Sequence, residues 1–240
     1  QDIMILQIIE DAIKTRPVYF AVTVAPNNRM GIDDYLEMEG LVYRVTFEQS
    51  SERTSMPRLN YDRMLQNISE TVDYNSLIYN PEDYWNHINA GHGIYRYTNL
   101  DNPDVYFNEN IRRLIQNYRS SFLQLGLQNL YSSDENGKVK TLEILDKMEN
   151  YFPQDVIPTT DAELDIQIGR IYKQAGQPEK LKNRLKIVQK RKDISLQTQM
   201  YIGQIYMNEF QDYDAAIEHY EILYDEYPYI PDFLYSLVQA

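Results

Sequence analysis

Cysteine is absent from this 240-residue chain, and histidine occurs only three times. Without cysteine the chain can form neither disulfides nor thiolate sites. A Ser-His-Asp triad has few possible bases, and the Gly-x-Ser-x-Gly turn of many hydrolases is missing. No apolar run approaches the ~20 residues that cross a bilayer as a helix. These absences argue against the commonest catalytic and membrane-spanning designs within this sequence.

Positive charge is also scarce. The chain has 23 Lys and Arg against 36 Asp and Glu, which gives a formal net charge of −13. A nucleic-acid backbone would be repelled, so we expect no nucleic-acid partner. The one basic run, residues 180–192, falls in a predicted helix, and we interpret it as a solvated face.

Tyrosine is the one residue type in clear excess, with 22 copies against 7 Phe and 1 Trp. Tyrosines can pack between helices with their hydroxyl groups in water. They can equally form a surface that binds peptide or carbohydrate, and composition does not separate the two readings.

A short sequence returns once along the chain. Residues 168–172 read Ile-Gly-Arg-Ile-Tyr, and residues 202–206, 34 positions later, read Ile-Gly-Gln-Ile-Tyr. Thirty-four residues is the period of the tetratricopeptide helix–turn–helix repeat, which these units resemble. A third unit has Leu125-Gly126 in the place of the Ile-Gly pairs. We expect each glycine to lie where two helices cross closely.

The second helix of each predicted hairpin carries residues at matching offsets. These are Thr141, Leu145 and Met148, then Leu181, Leu185 and Val188, and then Ala216, Tyr220 and Leu223. Pro153 and Pro228 would end the first and last of these helices. The fold predicted is mainly α, a tetratricopeptide-like α-solenoid of about three helical hairpins over residues 109–240, preceded by a small α/β element.

The N-terminal third has a different pattern. Apolar spacing predicts a helix over 2–14, β-branched and aromatic residues predict strands over 17–24 and 41–47, and Asp33 and Asp34 favour a short helix over 33–39. The predicted domains are therefore a strand–helix–strand element in 1–60, a connecting region with short helices (61–68 and 81–90) in 61–108, and the repeats. Asn108 is a candidate N-cap for the first repeat helix.

One segment resembles a known family. Residues 16–45, Arg-Pro-Val-Tyr-Phe-Ala-Val-Thr-Val through Gly-Ile-Asp-Asp-Tyr-Leu-Glu-Met-Glu-Gly-Leu-Val-Tyr-Arg-Val, are similar to the "RPIYFA-TV … GLDDYLQLEGLAYRL" stretch of the domain-of-unknown-function 2723 family. Its members are multi-spanning membrane proteins, and the animal members are protein O-mannosyltransferases with tetratricopeptide-like C-terminal repeats. Residues 100–110, 117–119 and 151–153 also resemble this family, whereas residues 87–92 depart from the family's pattern.

The resemblance implies a parent enzyme that uses a lipid-linked sugar, with its active site in a membrane-embedded N-terminal half. No catalytic residue is therefore carried onto this sequence. Because the chain opens abruptly at Gln1, we expect it to be part of something longer.

Acidic and histidine residues offer few candidate catalytic or metal sites. Asp33, Asp34, Glu37 and Glu39 place four carboxylates within seven residues, a pattern typical of helix-end charge and a solvated face. A hydrolase that uses Asp33, Asp34 or Glu37 is our last-ranked hypothesis. His87 and His92 lack further zinc ligands, and we interpret them as part of a surface loop.

Residues 132–143 partly fit a calcium loop. Asp134, Asn136 and Glu143 fall at positions 3, 5 and 12 of an EF-hand pattern, and Gly137 falls at position 6. Position 1 is Ser132 instead of aspartate, so we interpret the segment as an inter-helix turn. We expect no metal and no cofactor.

Binding residues are expected on the first helices of the repeats, which line the inner surface of a solenoid. Counting from the glycines selects Arg170, Lys173 and Gln174, with Ile166, in the middle unit, and Met200, Gln204 and Asn208, with Met207, in the last. The functional hypothesis is a non-catalytic, extracytoplasmic (periplasmic) C-terminal region of a bacterial glycosyltransferase-like membrane protein, which scaffolds the membrane-embedded half or recruits an acceptor. The alternative is a free-standing tetratricopeptide adaptor that binds a peptide or protein.

Overall fold

The computed structural model describes residues 2–50, 58–69, 86, 95 and 97–239. The chain is mainly helical with one small sheet, and it divides into two compact units, Gln1–Pro158 and Thr159–Ala240. Within the described ranges, no helix is long and apolar enough to cross a membrane. The solenoid arrangement itself, like the domain boundaries drawn from the sequence, stays a prediction.

The first unit begins with a helix on a four-stranded sheet. Helix α1 spans Asp2–Ala12, and strands β1 (Tyr19–Ala21), β2 (Leu36–Met38), β3 (Val42–Val45) and β4 (Arg58–Leu59) lie in the order β1-β3-β2-β4. β3 is antiparallel to both neighbours, and β4 is parallel to β2. Ile9 of α1 packs on Leu36 and Val45, which form the core of this layer.

The helix predicted over 33–39 is wrong. One 3-10 turn, Asp33–Tyr35, is followed at once by β2. Leu36 and Met38 alternate with Glu37, which is the period of a strand, and both are buried against β3. The N-terminal element is therefore not strand–helix–strand. The strands predicted over 17–24 and 41–47 exist but are shorter, as β1 and β3.

The other elements described in the first unit are helices. Helix α2 (Tyr61–Ser69) confirms the short helix predicted there, whereas the one predicted over 81–90 lies outside the described residues. Helices α3 (Glu109–Leu130) and α4 (Gly137–Tyr151) pack as a hairpin. The side chain of Asn108 accepts a hydrogen bond from the Ile111 amide at 2.9 Å, which confirms the predicted N-cap. Helix α4 ends two residues before Pro153, as expected.

The second unit consists of five helices. They are α5 (Ala162–Gln174), α6 (Pro178–Val188), α7 (Leu196–Ile205), α8 (Tyr213–Glu226) and α9 (Pro231–Gln239), and one turn of π-helix, Tyr206–Phe210, follows α7. Asp161, Ser195 and Asp212 cap α5, α7 and α8. The predicted second-helix residues of α6 and α8 all lie in one buried cluster.

Candidate functional site

A groove of about 460 Å³ lies between α5 and α7 in the second unit. Its walls are two stripes of side chains: Glu163, Gln167 and Arg170 from α5, and Gln197, Tyr201 and Gln204 from α7. Ile166, Thr198 and Met200 complete the lining. We call this cavity the α5–α7 groove. Amide side chains, one aromatic ring and a single charge of each sign make it a polar surface that can hydrogen-bond.

Helical periodicity explains why these residues share the groove. In each stripe the positions are i, i+4 and i+7, which fall on one helix face. Other positions of the same helices, such as Ile168 and Ile202, are completely buried. Seven residues of α-helix rise about 10 Å, so each stripe offers three polar or aromatic groups over that length.

The structure brings some of the sequence-predicted binding residues together and not others. Arg170, Met200 and Gln204 line the groove, as does Ile166. Lys173 does not line it and pairs instead with Glu209. Three further predicted residues are placed elsewhere: Gln174 and Asn208 are exposed outside the lining, and Met207 packs half-buried against the core.

Sequence reasoning missed Thr198 and four residues of the stripes, Glu163, Gln167, Gln197 and Tyr201. The signal for the four stripe residues was available, because they stand at helical spacing from Arg170 and Gln204. Counting from the glycines selected mostly positions near or beyond the C-terminal ends of the two helices. The groove extends instead toward their N-terminal ends.

Arg170 is held at one end of the groove by a carboxylate from the π-helical turn. Its Nη2 donates to Oε1 of Glu209, and its guanidinium carbon lies 5.0 Å from the centre of the Tyr201 ring. Lys173 donates to Oε2 of the same carboxylate at 2.9 Å and to the Glu209 carbonyl oxygen at 3.2 Å. Partial burial alone would raise the pKa of the Glu209 carboxyl, but hydrogen bonds from Lys173 and Arg170 hold the pKa below its ordinary value.

The π-helical turn is fixed by further contacts with cations. The ring of Phe210 lies 4.9 Å from the ammonium of Lys173 and 5.0 Å from that of Lys182. Lys182 also pairs with Asp212 at 3.0 Å. Gln211 then reverses the chain in the left-handed region, with φ of 53°. The position of Glu209 beside Arg170 is therefore determined by several independent contacts.

The basic run 180–192 is not simply a solvated face, as the sequence suggested. Arg184 is buried and donates to Asp165, which is also buried. Arg191 lies 3.8 Å from the other Asp165 oxygen and donates to the carbonyl oxygens of Thr159 and Thr160 at 3.0 and 2.9 Å. Arg191, Asp193 and Thr160 help line a second, shallower cavity of about 330 Å³. These contacts fix the N-terminal end of α5.

Each carboxylate of the 33–39 cluster has a structural partner. Asp33 pairs with Arg29 at 3.0 Å, and Asp34 accepts a hydrogen bond from Gln49 at 3.2 Å. Glu37 lies 3.4 Å from Arg58, and Glu39 lies 3.4 Å from Arg44. These contacts are structural, and the Glu37–Arg58 pair joins β2 to β4. The hydrolase hypothesis therefore gains no support.

The candidate metal ligands are not assembled into a site. The Asp134 carboxylate pairs with Lys140 at 2.5 Å, and helix α4 already begins at Gly137, the sixth position of the supposed loop. Asn136 and Glu143 are exposed. Across the described residues, no group of three or more His, Asp and Glu side chains could hold a metal ion. His87 and His92 lie outside those residues.

Comparison with known proteins gives one match. Residues 1–63 match the family described as TMEM260-associated domain 2. The match suggests a TMEM260-like family and points to a membrane-protein context; it covers α1, the sheet and the start of α2. No curated protein and no solved structure matches the chain.

Proposed function

We propose that this chain is a non-catalytic protein-interaction region of a glycosyltransferase-like multi-spanning membrane protein, located on its extracytoplasmic (periplasmic) face. Its role is to bind a polypeptide in the α5–α7 groove, either an acceptor or part of its own parent chain. The match of residues 1–63 supports the membrane-protein setting. The resemblance of residues 16–45 to glycosyltransferase-like membrane proteins supports the enzymatic parent.

The observation that carries the binding role is the pair of stripes facing each other across the groove. Gln167, Gln197 and Gln204 each offer an amide that both donates and accepts, which matches the alternating N–H and C=O groups of an extended peptide. A stripe about 10 Å long corresponds to about three residues of extended chain. Tyr201 and Met200 add a flat ring and a flexible thioether for apolar side chains.

The tetratricopeptide-like character supports the same role. The recurring Ile-Gly-x-Ile-Tyr segments fall within α5 and across the junction of α7 with the π-helical turn, each in the first helix of a helix pair. Stacked helical hairpins characteristically offer grooves between their first helices. The groove supports a free-standing adaptor equally well; the family match favours the membrane-protein setting, and the resemblance of residues 16–45 favours the enzymatic parent.

The groove is tested with a phage-displayed library of random dodecapeptides selected on the full 240-residue chain. We expect enriched peptides whose binding falls about tenfold or more in a Gln167→Ala/Gln204→Ala variant, since two hydrogen-bonding groups are removed. Gln174→Ala is the matched control, because Gln174 is exposed on the same helix but outside the lining. A glycan array is probed in parallel. Binding of glycans without peptides, or no groove-dependent enrichment, overturns the proposal.

The setting is tested on the native protein with an antibody raised against this chain. A region of a membrane enzyme sediments with membranes after a carbonate wash and is digested by protease added to spheroplasts. An adaptor appears in the soluble periplasmic fraction. Antigen found there, or protected from protease in intact spheroplasts, contradicts the proposed setting while leaving the groove experiment unaffected.

A further inference from the structure

The charge of the α5–α7 groove depends on a residue outside its lining. Arg170 is the only basic residue among those that line it, and Glu163 is the only acidic one. Arg170 is bound by Glu209 and lies over the Tyr201 ring. Its guanidinium is therefore already paired within the protein before any ligand arrives.

Both carboxylate oxygens of Glu209 are occupied by cations at this end of the groove. Oε1 accepts from Arg170 and Oε2 accepts from Lys173, so one carboxylate binds two cations. The side chain of Glu209 is 22% exposed, so water screens these bonds only in part. A carboxylate from a ligand would have to displace Glu209 from the position where the π-helical turn holds it.

We infer that Glu209 sets the charge preference of the groove, so that it accepts an extended polypeptide segment free of Asp and Glu and rejects an acidic one. This inference deepens the proposed function and rests on it. An acidic segment would meet Glu163 and Glu209 at close range, with Arg170 already engaged. The net charge of −13 repels acidic partners at longer range as well.

The same library tests this inference on the full chain and three variants. Glu209→Gln removes the carboxylate and frees Arg170, which lines the groove, to bind a ligand carboxylate; Lys173 loses the same partner but does not line the groove. Glu163→Gln is the matched control, since it changes the net charge equally inside the groove but leaves Arg170 paired. Arg170→Gln/Glu209→Gln removes the freed guanidinium. Thermal unfolding by circular dichroism identifies the variants that remain folded.

We expect the peptides selected on the wild-type chain to be depleted in Asp and Glu. Peptides selected on Glu209→Gln should contain both residues again. For a selected peptide and its Asn-to-Asp counterpart, discrimination against the acidic form should fall by about tenfold in Glu209→Gln. Glu163→Gln should change this discrimination much less, and the Arg170→Gln/Glu209→Gln variant should again discriminate against the acidic peptide.

Three results overturn the inference while leaving the proposed function intact. They are groove-dependent peptides rich in Asp and Glu in the wild type, equal gains in Glu209→Gln and Glu163→Gln, and a double variant that still prefers acidic peptides. If Glu209→Gln does not fold, the Arg170→Gln variant is used for the test. Peptides selected on it should be as poor in Asp and Glu as those selected on the wild type. A higher content of Asp and Glu would contradict the role inferred for Glu209. Absence of any groove-dependent peptide overturns both proposals.

Discussion

Gly169 of α5 lies directly against Leu181 of α6. A Cβ added to Gly169 would lie 2.7 Å from Leu181 Cδ1 and 3.1 Å from its backbone Cα, which cannot move aside as a side chain can. Gly203 has the same relation to Tyr220, where a Cβ would lie 2.7 Å from ring atom Cε1. In both pairs the missing side chain is what allows the two helices to approach.

We therefore expect Gly169→Ala and Gly203→Ala each to lower the free energy of unfolding by about 1–3 kcal/mol, as overpacking does. Gly126→Ala is the control. A Cβ there would lie 3.8 Å from Leu145 and Thr141, an ordinary contact, so the substitution should be neutral or stabilising by about 0.5–1 kcal/mol. Urea unfolding followed by circular dichroism measures all three, and equal losses would show that the glycines share one role.

These glycines show what the sequence could and could not predict. Repeat spacing identified all three positions and both buried partners, because periodicity determines which helix face a residue occupies. It could not tell that Gly126 has room for a methyl group, since that depends on how far apart two helices lie. For the same reason Arg170 was found but its partner Glu209, 39 positions away, was not.

The N-terminal sheet was less predictable for a different reason. Asp33 and Asp34 gave a local signal for a helix, whereas the alternation of Leu36 and Met38 gave a competing signal for a strand. Pairing with β3 and burial of both apolar side chains decided between them. A tertiary contact overrode a local charge pattern.

Two tyrosines in the first unit should respond oppositely to loss of the hydroxyl group. Tyr95 and Tyr97 are equally buried, at 6% exposure. The Tyr95 hydroxyl accepts a hydrogen bond from the Leu41 amide at 2.5 Å, beside Gly40 with φ of +101°. The Tyr97 hydroxyl has no hydrogen-bond partner in the part of the chain that the structure describes.

Tyr95→Phe leaves the partly buried Leu41 amide without its acceptor, so we expect a loss of about 1–3 kcal/mol in the free energy of unfolding. Tyr97→Phe removes a buried, unbonded hydroxyl and keeps the ring stacked on Tyr151 at 3.9 Å, so it should be neutral or stabilising. Thermal unfolding compares the two variants. A Tyr97→Phe loss as large as that of Tyr95→Phe would contradict the assignment of hydrogen bonds.

Calcium should not bind to residues 132–143. Lys140 occupies the Asp134 carboxylate, and its ammonium would repel a divalent cation. Isothermal titration with millimolar calcium should give no binding heat, and calcium should not shift the unfolding temperature. A heat that disappears in Asp134→Asn would restore the calcium site. Magnesium at the same concentration controls for ionic strength.

A buried ion pair of α6 should matter far more to stability than a partly exposed pair of the same helix. Arg184 and Asp165 have side-chain exposures of 8% and 6%, against 27% and 32% for Lys182 and Asp212. Arg184→Met leaves the Asp165 carboxylate without its closest cation, and we expect a loss of about 3 kcal/mol. Lys182→Met should cost much less, because water screens the partly exposed pair. Denaturant unfolding measures both, and equal costs would contradict this ranking.

Stability should also depend on pH through His219 of α8. Its Nε2 lies 2.9 Å from the Gln199 carbonyl oxygen, an acceptor, so Nε2 carries the hydrogen and donates. Burial lowers the pKa of His219 below 6.5, and the bond to Gln199 opposes this only in part. The folded protein therefore takes up a proton less readily than the unfolded chain. The contribution of neutral His219 to stability is complete above pH 6.5 and is lost as the pH falls from there through the lowered pKa.

Between pH 7.5 and 5.5 we expect the free energy of unfolding to fall by up to about 1.4 kcal/mol. Urea unfolding at several pH values measures the slope, and His219→Gln is the control because a glutamine amide can still donate toward Gln199 without titrating. The carboxyl pKa values of Glu209 and Asp212 are lowered from ordinary values of 4.5 and 3.8, so these groups affect stability only at a pH below the range measured here. A slope that persists unchanged in His219→Gln would assign the pH dependence to another group.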